Sequence, residues 1–212
     1  MAIKIQKNMR LLFIGDSITD CGRRQDPEGI GSGYPRLVRD YLAATYLQDA
    51  PEVINRGISG NKVTDLRDRW DSDVLQLKPD ILSIKIGIND VWHGLRKDTP
   101  AGVPIEQFIE VYRLILNQLR SAVPQCQLVL CEPSVISPPA PAEGNERLQP
   151  YIRAVHDLGK EFNAAAVVEF HKPFIEAMRV RPDITWAGDG VHPSSTGHML
   201  LARQWLKHTG LL

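Results

Sequence analysis

The chain has 212 residues, enough for a single domain spanning 1–212 that buries its core without disulfide or metal staples. Lys+Arg and Asp+Glu both number 25, and the resulting zero net charge gives no support to nucleic acid or an anionic membrane surface as a partner. Cys21, Cys126 and Cys131 make neither a disulfide framework nor a zinc-ligand pattern, and no run reaches the about 18–20 apolar residues of a membrane span, so a cytoplasmic protein with free thiols is expected.

The first ten residues lack the long apolar stretch of a signal peptide. Residues 10–14 are mostly apolar and stop at Gly15, which predicts a short buried strand and a tight turn carrying Ser17 between Asp16 and Asp20. A Gly-rich loop over 22–33 leads to a helix near 34–47, then to a short strand at 53–55 and a two-glycine turn at 56–61. Val63, Leu66, Trp70, Val74 and Leu77 fall at helical spacing and predict one helix that Pro79 ends. A buried strand at 80–86 closes on Gly87-Ile88-Asn89-Asp90, and a loop with Trp92 leads to a helix marked by Ile105, Ile109, Tyr112, Leu116 and Leu119.

Strand four is expected at 127–131, and the proline-rich stretch 132–145 after it suits no regular element. A helix through Leu148, Ile152, Val155 and Phe162 precedes strand five at 166–170. A short helix follows at 173–180, then the loop 181–191, and Pro193 opens a last helix that holds 194–208. Five β-α units with buried strands imply an α/β fold, a three-layer αβα sandwich around a parallel sheet.

In such a sheet, loops leaving the carboxyl ends of the central strands meet at one crevice. Those loops carry Ser17, then Gly57 and Gly60, then Asn89, and Asp189-Gly190-Val191-His192 adds a fourth piece before the last helix. A serine needs a base to become a nucleophile, and the base needs an orienting acid. His192 can take the Ser17 proton, and Asp189, three residues upstream, can hold the other imidazole nitrogen. Acyl transfer also needs donors aimed at the developing oxyanion, which the Ser17 and Gly60 backbone N–H groups and the Asn89 amide can supply.

Each piece has a plainer reading. Gly-Asp-Ser can be a turn or a helix cap, Gly57 and Gly60 can be turn residues, Asn89-Asp90 can cap the next helix, and Asp-x-x-His can be surface polarity. Asp183 is a competing acid, and His93, His156, His171, His198 and His208 have no partner motif. The four pieces in order, each at a strand-to-helix junction, are more specific than any one alone. Thr19 stands where the Gly-x-Ser-x-Gly elbow needs its last glycine, and no phosphate-loop pattern is present.

These residues resemble the SGNH (GDSL-like) serine hydrolases. The blocks read Phe13-Ile14-Gly15-Asp16-Ser17-Ile18-Thr19, Asn55-Arg56-Gly57-Ile58-Ser59-Gly60-Asn61, Gly87-Ile88-Asn89-Asp90 and Asp189-Gly190-Val191-His192-Pro193. The resemblance implies a flavodoxin-like sandwich with a central five-stranded parallel sheet, a Ser17–His192–Asp189 triad and an oxyanion hole of Ser17, Gly60 and Asn89. Stretches 11–22, 55–61, 84–92 and 191–202 look like the intracellular bacterial acetylxylan esterases of this family, which act on xylo-oligosaccharides and form higher oligomers. A homo-oligomer is therefore implied. The chain departs from them at Trp186-Ala187-Gly188, which separates the tryptophan from Asp189, and in loop 138–144.

The expectation is thus a carboxylic ester hydrolase that removes acetyl groups from carbohydrate, needing no cofactor and no metal, with Trp92 and Trp186 either stacking on sugar rings or merely packing. A thioesterase or lysophospholipase would need an extended apolar groove. A non-catalytic carbohydrate-binding module on the same fold is the reading from another class, and the intact Ser17, His192 and Asp189 argue against it.

Overall fold

A computed structural model describes residues 3–95, 101–138, 140 and 143–212. Five parallel strands form one sheet: β1 (Arg10–Gly15), β2 (Glu52–Gly57), β3 (Ile81–Lys85), β4 (Gln127–Cys131) and β5 (Ala166–Val168). Their order is β2-β1-β3-β4-β5, so β1 pairs on both sides. That explains its composition: every residue of it after Arg10 is buried, as a strand covered on both faces requires.

Among the described residues, eight α-helices surround the sheet: α1 (Ser17–Asp20), α2 (Tyr34–Tyr46), α3 (Val63–Asp68), α4 (Ile88–Leu95), α5 (Ile105–Ala122), α6 (Gly144–Glu161), α7 (His171–Val180) and α8 (Ser195–His208). Parallel strands demand right-handed crossovers. The step from β1 out to β2 therefore places α2 on one face, and the opposite steps to β3, β4 and β5 place α3, α5 and α6 on the other. α2 and α8 pack together. Phe13 of β1 meets both, with its ring 5.6 Å from Tyr34 edge-on and 5.5 Å from Trp205. The connections from β1 and β3 run in opposite directions, which makes the gap at their carboxyl ends the switch point of the sheet.

Several boundaries differ from the sequence expectation, and α4 occupies Ile88–Leu95 where a loop was expected. The single helix expected over Val63–Leu77 is broken: α3 ends at Asp68 and a π-helical turn occupies Asp71–Leu75. Pro193 lies outside α8 instead of opening it. Ser194 caps that helix with its side chain, accepting from Gly197 N–H at 3.2 Å, and Pro193 forms an isolated antiparallel bridge with Ala187. Strand five is only three residues long, because Phe170 N–H and His171 N–H turn to Glu132 Oε2, each at 3.0 Å. Glu132 is buried and also meets His156 Nε2 at 2.6 Å, so one carboxylate closes β4 onto the start of α7. Residues 139, 141 and 142 of the proline-rich loop lie outside the described residues.

Candidate active site

β1 stops at Gly15, and Asp16 caps the single turn α1 by accepting from Ile18 N–H at 3.0 Å. This puts Ser17 first in the turn, at the carboxyl edge of a central strand. Asp16 is itself fully buried, with Lys85 Nζ from the end of β3 at 3.5 Å from its Oδ2. Burial lowers the Lys85 pKa, and the Asp16 charge opposes that.

Ser17 Oγ lies 2.8 Å from His192 Nε2, and His192 Nδ1 lies 2.6 Å from Asp189 Oδ2. A carboxylate on Nδ1 keeps the proton there and leaves Nε2 free to accept from the serine hydroxyl. Asp189 Oδ1 also accepts from His192 N–H at 2.7 Å and Val191 N–H at 2.9 Å. Burial pushes the Asp189 carboxyl up, but these three donors outweigh it and hold the pKa below the ordinary carboxylate value. The loop is pinned from outside: Gly190 O accepts from Ser137 N–H at 2.9 Å. Gly190 has φ +83, and a Cβ there would strike the Ser137 carbonyl oxygen at 1.9 Å, so only glycine suits the place. The side chains of Asp189 and His192 are 57% and 52% exposed, so the line of groups opens directly to solvent.

Gly60 has φ +84, with open space where a Cβ would stand. The turn before it is tied to α1, because Asp20 Oδ2 accepts from Ser59 N–H at 3.1 Å and Ser59 Oγ at 2.8 Å. Asn55 Nδ2 donates to Thr19 O and Ile30 O, and Asn55 Oδ1 accepts from Gly57 N–H. Asn89 is buried in the first turn of α4, where its Nδ2 donates to Asn61 O at 3.0 Å and keeps a second N–H for another acceptor. Asn89 and Asp90 both lie inside the first turn of α4 and not ahead of it. Asp90 Oδ1 instead accepts from Val63 N–H at the start of α3, at 3.0 Å, and burial pushes its carboxyl up to about 7.

The structure thus brings Ser17, His192 and Asp189 into line, with the Gly60 turn after β2 and Asn89 in the first turn of α4 after β3. It does not bring Asp183 to them, since that carboxylate pairs with Arg181. Trp92 lies on α4 and not in a loop, and it packs partly against the core. Trp186 is half-buried, leans edge-on against Phe174 at 6.3 Å and donates its Nε1–H to Arg181 O. Sequence reasoning passed over Lys85, Arg69 and the clamp from Asp20 to Ser59. The signal for Lys85 was a lone charge inside a buried strand.

His198 has a structural role under the site. Its Nδ1 accepts from Tyr34 N–H at 3.2 Å, which puts the ring proton on Nε2, 3.4 Å from Cys21 Sγ. Burial, with the positive fields of Lys85 and His192, lowers its pKa from 6.5 to about 4. The unfolded chain therefore takes up this proton first as pH falls. Stability is lost between pH 6.5 and 4, by as much as about 3 kcal/mol from this group. Urea unfolding across that range should show the loss, and His198→Asn should flatten it; an unchanged slope would rule the group out as its source.

A hydroxyl in line with an imidazole and a carboxylate, open at the switch point of an α/β sheet, belongs to acyl-transfer chemistry, and the class is that of the carboxylic ester hydrolases. Residues 13–200 match the GDSL-like Lipase/Acylhydrolase family, and the chain belongs to it. An acetylxylan esterase from Geobacillus stearothermophilus is 39% identical over 98% of this chain and 97% of its own length. The solved structure of that organism's acetylxylan esterase superposes with a TM-score of 0.85 at 35% identity, covering 98% of this chain and 97% of that one. A GDSL-like protein from Parabacteroides merdae superposes with a TM-score of 0.92 at 36% identity, covering both chains completely. Among the described residues, no helix is long and apolar enough to cross a membrane.

Proposed function

We propose that this chain removes acetyl groups from xylo-oligosaccharides through an acetyl-enzyme on Ser17. The observation that carries the reading is the unbroken line from Asp189 through His192 to Ser17, at 2.6 and 2.8 Å. The sugar is read across from the acetylxylan esterase that matches nearly the whole chain.

Ser17 Oγ attacks the ester carbonyl carbon while His192 Nε2 takes its proton. The carbonyl oxygen becomes an oxyanion held by Ser17 N–H, Gly60 N–H and the free N–H of Asn89 Nδ2. His192 then gives the proton to the sugar oxygen as the ester C–O bond breaks. Water attacks the acetyl-enzyme with His192 again as base, acetate leaves, and Ser17 regains its proton. Trp92, three residues after Asn89, and Trp186, three residues before Asp189, are the candidates to stack on the sugar.

Acetate release from acetylated xylo-oligosaccharides, set beside other acetylated sugars, tests the substrate. Release from the xylose series should dominate. A preference for octanoyl or longer acyl esters in a chain-length panel would overturn the acetyl reading and favour a thioesterase or lysophospholipase. Asn89→Ala should lower kcat by ~10²–10³, the usual loss for one oxyanion donor. An unchanged rate would remove Asn89 from the site.

A further inference from the structure

The break after α3 holds Arg69, whose side chain is only 14% exposed. Its Nε donates to Asn61 Oδ1 at 2.8 Å, its Nη1 to Arg56 O and to Asp73 Oδ2 at 2.7 Å each, and its Nη2 to Gly15 O at 3.2 Å. Those acceptors are not scattered. Gly15 ends β1 two residues before Ser17, Arg56 stands at the end of β2, and Asn61 follows Gly60. Asn61 in turn offers its backbone carbonyl to Asn89 Nδ2. Gly15 O also accepts from Ile58 N–H at 3.0 Å, so the Ser17 and Gly60 loops already touch where the guanidinium joins them.

We propose that Arg69 is a positioning residue for the oxyanion hole, its guanidinium fastening together the segments that carry the Ser17 N–H and the Gly60 N–H and, through Asn61, the helix turn that carries the Asn89 amide. The inference rests on the oxyanion reading above and deepens it. Three segments from three strands must agree on one oxygen position to within a fraction of an ångström, and a shift of about 1 Å is enough to cost ~10²-fold in rate. Arginine suits the task because its flat fork presents donors in several fixed directions, whereas a lysine ammonium is a single point on a flexible stem. The broken helix belongs to the same device. Trp70 turns into the core at 1% exposure, while its neighbour Arg69 turns to the loops and Asp73, four residues on, holds its Nη1. A π-helical turn in such a place is a common mark of a functional site.

The experiment compares R69K and R69M with the parent protein, reading kcat and KM on an aryl acetate and Tm by thermal unfolding. Each is then combined with N89A. Both single variants should lose about 10–100-fold in kcat with KM within about twofold. In the R69M background, N89A should cost far less than it does alone, because the amide is already misplaced. The proposal is overturned if R69K or R69M keeps the parent kcat, or if N89A lowers the rate when made alone and costs the same in both backgrounds. Should R69M fail to fold, N61A removes one acceptor alone. A kcat-only loss there supports the proposal and full kcat overturns it. Should N89A alone leave the rate unchanged, the Asn89 reading is what fails, and the kcat values of R69K and R69M still decide the role of Arg69.

Discussion

Ser17→Ala is expected to lower kcat on an aryl acetate by roughly 10⁵–10⁶, leaving only the residual rate that donors and binding supply. The variant is a clean one. Asp16, not Ser17, makes the side-chain cap of α1, so the turn keeps its fold. Alanine keeps the backbone N–H, so the proposed oxyanion donor stays as well. Neighbouring hydroxyls are committed elsewhere: Thr19 Oγ1 is buried 3.5 Å from Tyr34 OH, and Ser59 Oγ donates to Asp20. A fluorophosphonate probe should label the parent protein at Ser17 and leave the variant unlabelled. Activity or labelling that persists would mean that the nucleophile is another residue, and sugar binding by an unlabelled parent protein would favour a non-catalytic module.

The sheet was legible because its three inner strands are buried on both faces, and a run such as Leu11–Ile14 has no other place to go. The stretch after Gly60 was read less well, for a physical reason. Val63, Leu66, Trp70 and Val74 are all buried, as their spacing requires. That spacing records which side faces the core. It does not record whether backbone bonds close four or five residues back, and here the chain takes the wider turn at Asp71–Leu75. The start of α8 was misplaced by two positions because a proline and a serine competed for it, and the Ser194 hydroxyl could satisfy a free backbone N–H that proline cannot.

The candidate site divides along the same line. Ser17, Gly60, Asn89, Asp189 and His192 could be picked out because each sits at a junction in a short local pattern. The groups that hold them are long-range and leave little local trace. Asp90 reads as a cap for the helix it lies in, yet it serves the start of α3, 27 residues away along the chain. Asp20 reads as a flanking acid, yet it grips Ser59 across to the next loop. Lys85 is the exception, since a lysine between isoleucines in a buried strand announces a buried partner, which proves to be Asp16.

Asp189→Asn should cost about 10⁴ in kcat, with KM little changed. Asp189 uses both of its oxygens, Oδ1 on the His192 and Val191 amides and Oδ2 on His192 Nδ1. Asparagine has one oxygen, and the two backbone N–H groups claim it. Its NH₂ then faces Nδ1, which must become an acceptor, and the ring proton moves to Nε2. That proton points at Ser17 Oγ, where an unprotonated nitrogen is needed, so the base is disabled with its position intact. Because its hydrogen bonds hold the Asp189 pKa low, the carboxylate stays charged well below neutral pH, and the pairing it makes is lost only as pH falls through that low value. Asp183→Asn is the matching control, since Asp183 is tied to Arg181 and should change kcat by less than about twofold. A full rate in Asp189→Asn, or a large loss in Asp183→Asn, would transfer the orienting role from Asp189.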